Sequence, residues 1–130
     1  MMFQIANDVA GLQAAHAPDV EEGKRTIVIV HLLGVLPPGD RSELVRIMGL
    51  PRAQRGSREV AWVVARMAEH DSLQYAHACL YGLAGAAMRQ AEMAFHAVPP
   101  SPARDVLLSV TSYVMEREGL LEQCANRPPA

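Results

Sequence analysis

Apolar and polar positions recur along this chain with helical spacing. In residues 2–16, Phe3, Ile5, Val9 and Leu12 supply an apolar surface. Gln4, Asn7, Asp8 and Gly11, at offsets 0, 3, 4 and 7, share one polar face. Pro18 closes this helix and predicts a loop over 17–23. Residues 24–36 are almost all apolar, and the run Thr26-Ile27-Val28-Ile29-Val30 is β-branched enough for a strand. Periodicity alone does not choose between strand and buried helix in so short a run. Pro37-Pro38-Gly39 breaks the chain again, and Asp40 with Glu43 forms a capping-box pattern that opens a short helix. Leu44, Ile47 and Met48 point inward from it, and Gly49 and Pro51 end it.

The second half follows the same rules. Ser57 is the expected N-cap of a helix whose Val60, Val63, Val64 and Met67 follow the 0, 3, 4, 7 spacing. Asp71 with Gln74 starts the longest helix, which runs to about Val98 before Pro99-Pro100. Ser101-Pro102 is an N-cap followed by proline at the first helical position. That helix turns Leu107, Val110, Thr111 and Val114 inward and closes at Gly119. The expectation is an all-α chain, a bundle of about six helices forming one domain over residues 1–123, with a disordered tail over 124–130.

Composition sharpens this in few places. The chain has 130 residues, half of them hydrophobic and a fifth charged, which is globular rather than disordered. Abundant alanine and few aromatics favour helices over a sandwich or barrel. Net charge is -2 with both signs interspersed, so no basic face advertises nucleic acid. Eleven arginines accompany one lysine, which makes Lys24 conspicuous. Cys79 and Cys124 lack metal-ligand or redox spacing and read as reduced thiols. The longest apolar run is too short to span a bilayer, and Met1-Met2-Phe3 carries no basic lead. A cytoplasmic protein without a transmembrane segment is expected.

The polar face and the loop behind it carry the candidate chemistry. Phe3-Gln4 precedes Asn7-Asp8-x-x-Gly11, and Asp19-x-Glu21-Glu22-Gly23-Lys24-Arg25-Thr26 follows. This order resembles the second aspartate-rich region of trans-isoprenyl diphosphate synthases, the polyprenyl synthetase family. There an FQ pair precedes DDxxD or a close variant, and a D-x-x-E-G-K-x-T segment follows. Downstream, His70-Asp71-Ser72-Leu73-Gln74-Tyr75-Ala76 is similar to that family's G-S-I-E-Y-A helix start. Ser101-Pro102-Ala103-Arg104 and Tyr113-Val114-Met115-Glu116-Arg117 are similar to its closing S-P-A-R and YVxER patterns. The resemblance covers essentially the whole chain but only the C-terminal half of the isoprenoid synthase fold. It also turns the undecided residues 24–36 toward a buried helix.

The resemblance implies Asp8 and Asn7 as magnesium ligands, with Gln4 and Lys24 on the diphosphate, and Mg2+ bound through that diphosphate. Magnesium suits such a sparse set, because it keeps waters and shares a few carboxylates with substrate phosphates. The departures are an amide at Asn7, no ligand at Gly11 and no second lysine. No DDxxD occurs in the sequence, so the catalytic set is incomplete within these residues. Two readings follow. The chain is the C-terminal part of a synthase acting on allylic and isopentenyl diphosphates, active only as part of a longer product or with a chain carrying the first DDxxD motif. The alternative is a non-catalytic helical partner or regulatory subunit of an intact prenyl synthase. Under either, uncovered apolar faces predict a homo-oligomer or hetero-oligomer.

The remaining candidates have ordinary readings. His70 and His77, seven apart, could share a helix face, but nothing completes a metal set. His31 and His96 lie on apolar stretches and suit hydrogen-bonded core or boundary positions. The seven methionines read as core filler, and Tyr75 and Tyr81 as packing at helix faces.

Overall fold

The computed structural model describes residues 2–13 and 17–117. Among these residues there are seven α-helices and no strands. In chain order they are α1 (Met2–Gln13), α2 (Pro18–Glu22), α3 (Ile27–Val35), α4 (Pro38–Gly49), α5 (Ser57–Glu69), α6 (Ser72–Ala94) and α7 (Pro102–Arg117). A single 3-10 turn, Arg52–Gln54, links α4 to α5. The chain divides into two compact units, residues 3–78 and residues from 79 onward, with the boundary inside α6.

In the first unit the buried side chains include Ile5 and Val9 of α1, Val28, Ile29 and Leu32 of α3, Leu44 and Ile47 of α4, and Val60, Val63 and Met67 of α5. Helix α5 packs against both α3 and α2. The β-branched run is a helix because three of its residues are buried at once on one side, and burial outweighs a weak local propensity. Thr26 caps it, its hydroxyl accepting from the Ile29 N–H at 3.4 Å. At the other end Leu36 is extended, as a residue preceding proline prefers. The Arg41 guanidinium covers the last turn by donating to the Leu36 carbonyl at 3.0 Å.

Several local expectations are corrected. Residues 18–22 form the short helix α2 rather than loop, with Pro18 at its first helical position, where its fixed φ suits a helix start. Helix α4 begins at Pro38, so Asp40 lies inside its first turn and does not cap it. Glu43 is held instead by Arg46, at 2.7 Å. In α5 the N-cap is Gly56 and Ser57 is the first helical residue, while Glu59 reaches back to the Gly56 N–H at 3.1 Å. Val64 is exposed, since α5 buries a narrower stripe than its apolar pattern suggests.

Helix α6 stops at Ala94, with turns carrying the chain to the Pro99-Pro100 break. His96 in those turns is exposed, and so are Met88 and Met93, so they are not core. His70 ends α5 and Asp71 takes a left-handed φ of 51°, which puts His70 and His77 on different helices. Ser101 caps α7 as expected, accepting from the Arg104 N–H at 3.3 Å. Leu107 and Val110 are exposed rather than inward. The Thr111 and Val114 side chains, Cys124, the Gly119 cap and the tail over 124–130 lie outside the described residues. Cys79 is a free thiol. No helix among the described residues is long and apolar enough to cross a membrane.

Candidate functional site

Three side chains from two segments come together in the first unit. Asp8 projects from α1, and Asp19 and Lys24 come from α2 and the turn after it. Asp8 lies near both, repelled by the Asp19 carboxylate and attracted by the Lys24 ammonium. At the start of α3, the Ile27 N–H donates to the Asp8 carboxylate. Free N–H groups at a helix start favour a carboxylate there. Burial outweighs this help and raises the Asp8 pKa above 3.8, its ordinary value.

Lys24 is held by two carboxylates. Its Nζ lies 2.7 Å from Asp19 Oδ1 and 3.0 Å from Glu22 Oε2. These hydrogen bonds, Asp19 first, push its pKa up to about 12. Glu22 is lowered in turn, chiefly by its hydrogen bond from Lys24. Asp19 is buried, whereas about half of the Lys24 side chain remains exposed at 53%. The ammonium is therefore anchored from beneath and open above.

Gln4 and Asn7 are exposed on α1, and Asp8 is half-buried on the same helix. Of the residues expected at the site, Asp8 and Lys24 fall in one electrostatic cluster. Gln4 and Asn7 are placed on its helix without a recorded contact to either. Among the described residues, no group of three or more His, Cys, Asp or Glu side chains converges as a metal cage would. The donors that are present suit a thinner role. The Asp8 carboxylate keeps accepting capacity beyond its one N–H bond, which fits a cation whose other ligands are phosphate oxygens and water.

Two features lie beyond the sequence reading. Arg55, in the turn before α5, is a buried guanidinium that, among the described residues, donates to backbone carbonyls. It sits in a polar segment with no periodicity, so nothing in the sequence distinguishes it from the ten other arginines. His31 of α3 meets the first turn of α6: its Nδ1 is 3.0 Å from Ser72 Oγ, and its ring stacks on Tyr75 with centroids 4.1 Å apart. Ser72 is fully buried, so this pair fastens two helices and offers no accessible nucleophile.

The fold and cluster define an all-helical protein with a carboxylate and a lysine presented beside a helix start. No family model matches the chain. Over 116 residues it is 27% identical to a short chain isoprenyl diphosphate synthase of Methanothermobacter thermautotrophicus, a span that covers 89% of this chain and 33% of that protein. The chain thus spans about a third of the length of that curated relative.

Proposed function

We propose that this chain supplies one wall of a trans-isoprenyl diphosphate synthase site, the wall that holds a magnesium-bound diphosphate during isoprenoid chain elongation. The observation that carries the reading is the cluster of Asp8, Asp19 and Lys24, in a chain similar along most of its length to a synthase of that class. Asp8, with the Asn7 amide beside it on α1, would hold Mg2+, which would supply positive charge to a departing diphosphate. Lys24 contributes a fixed positive charge and Gln4 a neutral donor to the diphosphate oxygens. The second acidic wall, a DDxxD helix, comes from outside these 130 residues, joined to them or on another chain.

The test is reconstitution. Mixed with a protein carrying the first acidic motif, the chain is expected to give magnesium-dependent condensation of isopentenyl and allylic diphosphates. A mixture that forms no longer diphosphate, with both partners folded, rejects the reading.

One observation favours a second reading, a non-catalytic partner of an intact prenyl synthase. Lys24 is already neutralised by Asp19 and Glu22, and Asp8 is already engaged by the start of α3. Under this reading a complete synthase co-purifies with the chain from its native cell. The Lys24→Ala chain retains that association while contributing nothing to turnover.

A further inference from the structure

A buried guanidinium needs partners for its charge and for its N–H groups, and an isolated one is costly. Among the described residues, the partners of Arg55 are backbone carbonyls and not carboxylates. Its Nε donates to the Ile47 carbonyl at 3.1 Å, and its Nη2 to those of Met48 at 3.2 Å and Leu50 at 2.5 Å. These three oxygens close the C-terminal end of α4, where the helix presents unpaired carbonyls and partial negative charge. The remaining nitrogen, Nη1, crosses to another segment and donates to the Glu21 carbonyl at the end of α2, at 2.5 Å. One side chain therefore ties together two helix ends that precede it in the chain, one by 34 residues and the other by eight or fewer.

The segment it grips is the one that holds Lys24. Glu21 lies two residues after Asp19 and three before Lys24. Gly23, between them, takes a left-handed φ of 73° and ends α2. The guanidinium lies directly against it: a Cβ at position 23 would stand 2.7 Å from Nη2 and 2.8 Å from Nη1. Glycine is thus required twice over, for backbone conformation and for the approach of the arginine. Within the turn, the Lys24 N–H closes onto the Asp19 carbonyl at 2.9 Å, and the side chains of the same two residues pair at 2.7 Å. Whatever fixes the Glu21 carbonyl and Gly23 fixes the geometry of that pair.

We propose that Arg55 is the positioning residue of the Lys24 turn. Its guanidinium pins the end of α2 to the end of α4 and so sets the place from which the Lys24 ammonium meets a diphosphate. This rests on the diphosphate-binding reading above, but the mechanical part stands by itself. A lysine at position 55 does not replace it, because a single ammonium cannot span four carbonyls arranged in two directions.

The experiment uses the full 130-residue chain, magnesium with inorganic pyrophosphate as the probe, and free guanidinium as a rescuing ion. In Arg55→Ala, helical circular dichroism and cooperative melting are expected to persist. Pyrophosphate affinity should fall by about tenfold or more, as displacement of a binding group predicts. Amide exchange at Gly23 and Lys24 should accelerate, while amides inside α5 keep their protection. Millimolar guanidinium should restore both affinity and protection, and methylammonium should not. A general loss of stability would not show that selectivity. Unchanged affinity and unchanged exchange at Lys24 in a folded Arg55→Ala chain overturn the proposal. If that variant does not fold, Arg55→Lys decides by the same two measurements, since it keeps the stem and the charge. If the parent chain does not bind magnesium pyrophosphate, the diphosphate reading fails, and exchange at Lys24 still decides the role of Arg55.

Discussion

At the scale of the residue, Asp8 is the position where chemistry and stability pull apart. Burial raises its pKa above 3.8, and the Ile27 N–H bond only partly offsets this. An acid whose folded pKa is raised is most favourable to folding below its unfolded pKa, and that contribution is lost as pH rises through the folded value. At neutral pH ionised Asp8 is thus a burden on the fold. Asp8→Asn keeps an oxygen for the Ile27 N–H and sheds the charge. It is expected to melt no lower than the parent at pH 7, with that margin vanishing on acidification below pH 4, as thermal melts at the two pH values would record. Magnesium-dependent pyrophosphate binding, by calorimetry, should be lost in the same variant. In the parent that binding should weaken on acidification beginning above pH 3.8, the ordinary value for Asp. Lys24, held near 12, contributes no limb of its own below strongly alkaline pH.

At the scale of the element, the helices were legible where punctuation and period agreed. Ser101-Pro102 opens α7 and Gly49 ends α4 as read. Residues 26–30 carry strand propensity that periodicity left undecided; the resemblance turned them toward helix, and burial of Val28, Ile29 and Leu32 accounts for it. Arg55 escaped because its partners are carbonyls, which leave no trace in side-chain pattern. The polar face of α1 and the turn with Lys24 were both readable, and the resemblance joined them; the bond from the Ile27 N–H to Asp8 was not readable. Capping energies test these elements. Thr26→Val keeps the buried volume and removes the cap of α3, and should cost roughly 0.5–2 kcal/mol in urea unfolding. Gly56→Ser should gain a few tenths of a kcal/mol at the start of α5. Ile47→Ala, emptying a fully buried site in α4, should cost about 2–5 kcal/mol.

At the scale of the whole molecule, each unit keeps apolar surface in the open. In the first, an apolar groove of about 360 Å³ lies among Ile29, Val30, Leu33, Leu44, Val45 and Met48. In the second, Val106, Val110 and Tyr113 stand exposed at offsets 0, 4 and 7 along α7. Patches of this kind favour association, and for the purified chain the occupant at hand is a second copy. Light scattering at micromolar concentration is expected to report an assembly. Val45→Glu or Val106→Glu should dissociate it, and which one does so identifies the face used. A monodisperse parent monomer would refute the expectation. The contact between Arg55 and Gly23 couples the two positions. A Cβ at 23 would force the guanidinium to shift, and without the guanidinium a glycine at 23 keeps only its left-handed φ as a reason. The coupling runs one way: an arginine packed here demands glycine at 23, whereas the left-handed turn demands glycine with or without the arginine.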